Sequence, residues 1–296
     1  MPPAARPRRR KRKGMSNLVI RTLTGVAFVA VLVGSILLSP LTFVFLFAAV
    51  AGLCVWEFSS LVNTHAGASV NRLINTAGGV YLFLAFAAYV SGYQGSEVFI
   101  PYLVSLIYLL ISELYLQQTD PLKDWAYAFA SQLYVALPFA LLTTLAFVAD
   151  PLTGGAAYNW LLPLSVFIFL WTIDTGAYCC GSLLRHRFPA KLFERVSPNK
   201  SWVGSIGGGL LCLAAAAILD ACFPGNMSLM QWLGLALTVC VFGTWGDLVE
   251  SLLKRQLGVK DSGVLFPGHG GALDRFDSAL LAIPAAVLYL YTIHFF

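Results

Sequence analysis

Apolar residues run through this chain in long blocks, and polar residues gather between them. Nine blocks are long enough to cross a hydrocarbon core of about 30 Å, which takes about 20 helical residues. They lie near 18–38, 41–62, 73–91, 98–116, 125–149, 157–178, 202–223, 229–249 and 277–296. Turn-forming pairs fall between blocks: Ser39-Pro40, Ser91-Gly92, Asp120-Pro121, Asp150-Pro151 and Pro224-Gly225. The pattern predicts an all-α, polytopic membrane protein with about nine transmembrane helices. No internal repeat is visible.

Composition agrees. The chain is 58% hydrophobic and 11% charged, against about 25% charged in a soluble domain. A water-soluble surface cannot be built from it. The six cysteines, Cys54, Cys179, Cys180, Cys212, Cys222 and Cys240, form no C-x-x-C pair and read as apolar packing residues.

Charge sets an expected orientation. With a cytoplasmic N-terminus and alternating helices, the inner segments are 1–17, 63–72, 117–124, 179–201 and 250–276. With Arg21, these hold all 19 Lys and Arg residues. The opposite loops hold only Glu97, Asp150 and Asp220. The positive-inside rule therefore predicts N-in, C-out. Residues 1–17 read as a basic cytoplasmic tail near anionic lipid, too short a basic run for a nucleic-acid role. The run Leu18–Leu38 is too long for a signal peptide and reads as a retained helix. Helices 1–5 (18–149) form a scaffold half with few internal polar groups. The stretch 150–296 carries helices 6–9 and the chemistry.

Residues 247–277 hold five acidic groups, four basic groups and one His. Polar groups at membrane depth are costly and call for a function. Asp247, Glu250, Ser251 and Lys254 fall at i, i+3, i+4 and i+7, on one helix face. Such a face can bind a metal together with a phosphate. The plainer alternative, for Lys254-Arg255, is a helix end snorkelling into the interface. Then comes Pro267-Gly268-His269-Gly270-Gly271-Ala-Leu-Asp274-Arg275-Phe-Asp277. Gly270 and Gly271 would let backbone amides approach an anion. Asp247 and Asp274 are the first choice of metal ligands. Asp277 has simple helix capping as its alternative. His269 could touch phosphate, transfer a proton or fix the loop.

A third block, Ser197-Pro198-Asn199-Lys200-Ser201, opens helix 7. It reads as an anion site or an ordinary N-cap. Asp174 and Tyr178, at i and i+4, could join the site or make a packing hydrogen bond. Arg185, Arg187, Lys191 and Arg195 would attract anionic lipid or simply set topology. Glu57 and Glu113 lie inside apolar helices, protonated, paired, or part of a transport path.

The run Ser251-x-x-Lys254-Arg255-x(4)-Lys260-Asp261-x-Gly263-x-x-Phe266-Pro267-Gly268-His269-Gly270-Gly271-x-x-Asp274-Arg275-x-Asp277 closely resembles the signature of phosphatidate cytidylyltransferases, or CDP-diacylglycerol synthases. Asp174-Thr-Gly-Ala-Tyr178-x-x-Gly181 and Ser197-Pro198-Asn199-Lys200-Ser201-Trp202-x-Gly204 resemble other blocks of that family, although the commoner block has Thr at position 201 and an acidic residue at 203. The resemblance is strong over about 170–278 and rests mainly on hydropathy before that.

It implies that CTP and phosphatidic acid give CDP-diacylglycerol and pyrophosphate. It also implies Mg²⁺ dependence, a second cation such as K⁺, a homodimer, and metal ligands at Asp247 and Asp274. Catalytic roles are expected for Asp247, Asp274, Asp277, Lys254, Arg275 and His269. Substrate contacts are expected from Ser197, Asn199, Lys200, Ser201, Ser251, Arg255, Lys260, Gly270, Gly271, Asp174 and Tyr178. The expected setting is a bacterial plasma membrane with a cytoplasm-facing site. The alternatives are a CTP-dependent enzyme acting on another lipid phosphate, and a transporter using Glu57 and Glu113.

Overall fold

The computed structural model describes residues 17–116, 120–150, 154–184, 186–263, 265 and 270–295. The helices are α1 (Asn17–Leu38), α2 (Pro40–His65), α3 (Arg72–Val90), α4 (Ile100–Leu116), α5 (Pro121–Ala130) and α6 (Leu137–Ala146). They continue as α7 (Leu161–Leu184), α8 (Trp202–Cys222), α9 (Leu229–Gln256), α10 (Leu273–Phe276) and α11 (Ala279–Thr292). Two short antiparallel hairpins interrupt them. One pairs β1 (Phe147–Ala149) with β2 (Ala156–Tyr158); the other pairs β3 (Lys191–Phe193) with β4 (Ser197–Ser201).

The protein is an all-α polytopic membrane protein. Among the described residues, seven helices are long and apolar enough to cross a membrane. α5 and α6 form one of them, joined through a π-helical turn, Ser131–Ala136. The first expected span is met by α1, 22 residues long. The last, expected over 277–296, is shorter: a turn at 277 and 278 separates four-residue α10 from 14-residue α11. Here Asp277 Oδ1 accepts the Ser278 N–H at 2.6 Å, so this backbone donor is taken locally. Alone, α11 rises about 21 Å, short of the core thickness.

Local chemistry sets the helix starts. Ser39 caps α2 in a reciprocal box with Thr42, ahead of Pro40 at the first turn. Ser228 does the same for α9 with Gln231. Ser201 caps α8 by accepting the Gly204 N–H at 3.2 Å.

One apolar core runs from Leu32 on α1 to Leu290 on α11. Its aromatic centre anchors α10. The buried Phe276 ring meets Phe28 of α1 at 5.7 Å, Phe139 of α6 at 5.4 Å and Phe167 of α7 at 6.2 Å between centroids. The residues beside Phe276, namely Asp274, Arg275 and Asp277, thus stand on packed rings. Cys54, Cys212 and Cys240 are buried as expected of packing residues, whereas Cys179 and Cys222 are exposed.

The α7–α8 contact is the closest in the bundle. A Cβ on Gly208 would lie 2.6 Å from the Ile173 carbonyl, and one on Gly204 would lie 2.8 Å from that of Ala177. Small residues let membrane helices approach this nearly, replacing a hydrophobic driving force with packing. Gly208→Val should push the helices apart and cost about 1–3 kcal/mol. A lowered thermal unfolding midpoint in detergent, relative to wild type, is the expected result.

Candidate active site

Charged side chains converge where α7, α9 and the α10 turn meet. A cavity of about 370 Å³ is lined by Asp174, Asp247, Asp274, Arg275, Asp277 and Ser278, and walled by Thr24, Gly25, Phe28 and Val29 of α1. A smaller one, about 200 Å³, adjoins it. Asp174 and Tyr178 line it with Asn199, Lys200, Ser201, Ser205 and Thr244. The two share Asp174. The β3–β4 hairpin delivers Lys200, whose Nζ is 2.5 Å from Asp247 Oδ2. Asp247 Oδ1 accepts the Ser251 hydroxyl at 3.1 Å, the i,i+4 contact that the shared helix face predicts.

Beneath the cavity lies a buried ionic cluster. Lys254 is 8% exposed, Asp274 8% and Glu250 0%. Lys254 Nζ contacts Glu250 and donates to Asp274 Oδ1 at 2.7 Å. Glu250 has no hydrogen-bond partner among the described residues beyond this ion pair. Asp274 Oδ2 accepts the backbone N–H groups of Ser262 and Gly271, both at 2.8 Å. Burial raises the Asp274 carboxyl, but the Lys254 ammonium and the two amides outweigh it and hold it below the ordinary carboxylate value. Its contribution is therefore present above that ordinary value and lost as pH falls through the lowered one.

These contacts redistribute the expected roles. Asp274, expected as a metal ligand, lines the cavity and has both oxygens bonded to Lys254, Ser262 and Gly271. Lys254 is enclosed by two carboxylates, and the Gly271 amide faces Asp274. Gly270, at φ +81°, supplies the left-handed backbone that leads into Asp274. The carboxylates lining the cavity are Asp174, Asp247, Asp274 and Asp277, of which Asp274 has both oxygens bonded internally. All donate oxygen, which suits a hard divalent cation. Among the described residues no three acidic, His or Cys groups are close enough to hold a metal by themselves. Mg²⁺ needs only one or two carboxylates, with phosphate and water completing its shell.

Arg275 is exposed at the cavity. Tyr178 is 77% exposed. Arg255 and Lys260 lie exposed at and beyond the end of α9, Arg255 donating to the Val259 carbonyl at 3.1 Å. Ser197 begins β4, away from both cavities' linings. His269 and Arg185 lie outside the described residues. The sequence pattern put Glu250 on the face expected to bind a metal with a phosphate; in the structure it pairs with Lys254 at i,i+4 instead. No local signal points to Thr24 and Phe28, which reach the cavity only through tertiary packing.

The cytidylyltransferase family model matches residues 19–293. A phosphatidate cytidylyltransferase of Haemophilus influenzae is 32% identical over 282 residues, covering 89% of this chain and 95% of that protein. One from Staphylococcus aureus is 32% identical over 266 residues, covering 90% and 96%. One from Staphylococcus haemolyticus is 33% identical over 268 residues, with the same coverage. On the strength of a match over nearly its whole length, this chain belongs to the cytidylyltransferase family.

Proposed function

We propose that the protein transfers the cytidylyl group of CTP to phosphatidic acid, giving CDP-diacylglycerol and pyrophosphate. One observation carries the lipid half of this reading. The charged cavity opens beside an apolar one of about 560 Å³ between α1 and α2, and the two share Thr24 and Phe28. A polar site continuous with an apolar groove suits a substrate with a phosphate head and hydrocarbon tails. The relatives named for this activity support the same substrate pair.

A non-bridging oxygen of the lipid phosphate attacks the α-phosphorus of CTP. The new P–O bond forms as the bond to the β-phosphate oxygen breaks, and its electron pair leaves with pyrophosphate. The attacking oxygen is already anionic, so no strong general base is needed. The barrier comes from repulsion between anions and from alignment. Asp247 and Asp277 would hold Mg²⁺, phosphate and water completing its shell, and the oxygen donors of the cavity would accept a second cation such as K⁺. When bound, Mg²⁺ supplies charge neutralisation to the triphosphate. Arg275 stands in the cavity to meet phosphate oxygens. Lys200 holds Asp247 in place and lies within reach of the smaller cavity, where Asn199 and Ser201 offer polar contacts. Exposed Arg255 and Lys260 attract anionic substrates to the rim.

The charge count supports a site on the cytoplasmic side, where CTP is available, with N-in, C-out topology and nine crossings, and the family resemblance implies a homodimer. Bacterial relatives suggest a bacterial plasma membrane. The transporter reading loses its main support, because Glu57 binds the signature segment: its Oε2 accepts from Ser262 and Leu273.

The test is pyrophosphate release by purified protein in detergent micelles. It should need CTP, Mg²⁺ and phosphatidic acid together, and fall sharply when glycerol 3-phosphate replaces the lipid. Release with polyprenyl phosphate alone would favour the other lipid-phosphate enzyme. No release from well-folded protein with any lipid phosphate would end the reading.

Two variants separate ligand from anchor. Asp247→Asn should lower kcat/KM by about 100-fold or more, with an unfolding midpoint near wild type. Asp274→Asn should lower activity and also cost about 3 kcal/mol of stability, since it strips a partner from a buried Lys. Equal stability of the two would count against the division of roles.

A further inference from the structure

Among the described residues, Glu57 is the one acidic side chain of the scaffold half hydrogen-bonded to the signature segment. It lies in the second half of α2, more than 200 positions from the residues it binds. Its Oε2 accepts the Ser262 hydroxyl at 3.1 Å and the Leu273 N–H at 2.8 Å. These two donors belong to opposite ends of the segment. Ser262 follows α9, and Leu273 opens α10. The carboxylate is wedged between two glycines: a Cβ on either Gly263 or Gly271 would collide with it. The glycines therefore make room for the scaffold carboxylate at closest approach, a need distinct from anion binding.

Asp274 grips the same two ends from the other side, through the amides of Ser262 and Gly271. Buried Ser262 is thus held twice, by its hydroxyl to Glu57 and by its N–H to Asp274. Together the two carboxylates clasp the ends of the segment. The path then continues through Lys254 to Glu250 on α9. What the clasp fixes is α10, and hence Arg275 and Asp277 at the cavity. Phe276 holds α10 by apolar packing alone, which resists displacement better than it fixes rotation. Directional hydrogen bonds to Leu273 and Ser262 add the missing orientation.

We propose that Glu57 is a positioning residue for the cytidylyl transfer: it orients α10, and through it Arg275 and Asp277, by clasping Ser262 and Leu273. This rests on the function proposed above. Glu57 itself touches no reacting atom.

The experiment compares Glu57→Ala, Glu57→Gln and Ser262→Ala with wild type in detergent, by steady-state kinetics and by hydrogen–deuterium exchange. Glu57→Ala should lower kcat by about 10- to 100-fold per folded molecule, the range expected for losing hydrogen bonds to a charged group. KM for CTP should change by less than about threefold, because alignment and not uniform binding is lost. Glu57→Gln keeps a carbonyl oxygen able to accept both bonds, so it should recover most of the loss. Ser262→Ala removes one of the two bonds and should fall between. The amide of Leu273 should exchange faster in Glu57→Ala than in wild type.

Unchanged kcat in Glu57→Ala and Ser262→Ala would overturn the proposal, as would a Gln variant no better than Ala. If Glu57→Ala does not fold, the Gln and Ser262 variants decide. The exchange readout needs no substrate. Should wild type release no pyrophosphate, faster exchange at Leu273 would still establish the clasp while the function failed, and unaltered exchange would remove the clasp itself.

Discussion

A lysine ammonium held between two carboxylates inside an apolar bundle is the interaction on which the site depends. Lys254, Glu250 and Asp274 are all buried. Moving any one charge out of water is expensive, and losing a partner leaves an uncompensated buried ion. The cluster therefore survives only as a set. The amides of Ser262 and Gly271 complete Asp274's shell. This ties α9, the segment after it and α10 into one arrangement. It also engages Lys254 and both oxygens of Asp274 within the protein.

The cavity above it inherits its order from that arrangement. Asp247 is set by Lys200 and Ser251, and Asp277 by its position directly after Phe276. The close α7–α8 approach brings Asp174 and Tyr178 beside Ser201 and Lys200. Each cavity-facing group is thus placed by something that has no chemical role of its own: a glycine contact, an aromatic cluster, an ion pair. Electrostatic catalysis needs this, since groups fixed in advance do not have to reorganise as charge moves.

The helical architecture was legible because burial in lipid demands long apolar blocks, and a chain with 11% charge has few places to hide loops. The turn at 277–278 falls where the last apolar block begins, since Asp274, Arg275 and Asp277 interrupt the apolar run ahead of it, whereas the four-residue helix α10 before the turn was not legible. The site was legible as a set of residues, since Asp247, Asp274, Arg275 and Asp277 stand in one short stretch. Their division of labour was not. Sequence spacing shows that Lys254 and Asp274 are near each other and says nothing about whether their bonding capacity is already filled. Glu57 illustrates the opposite limit. A carboxylate in an apolar helix announces a need for a partner, but that partner lies more than 200 residues away and is found only by folding.

The internal pairing also decides which cations remain for an anionic substrate. Lys254 is enclosed and Lys200 is shared with Asp247, leaving exposed Arg275, Arg255 and Lys260 nearest to solvent. The cavity lining carries four carboxylates against this. Under the proposed reaction, a triphosphate entering alone would meet repulsion from Asp174, Asp247 and Asp277, while one entering with a divalent cation would find oxygen donors ready for it. That balance would favour metal–nucleotide binding as a unit. The apolar groove alongside, which shares Thr24 and Phe28 with the cavity, leaves a lipid phosphate one approach that keeps its tails out of water. Nucleotide from the aqueous side and lipid from the membrane can then meet at the carboxylates without either crossing the other's path.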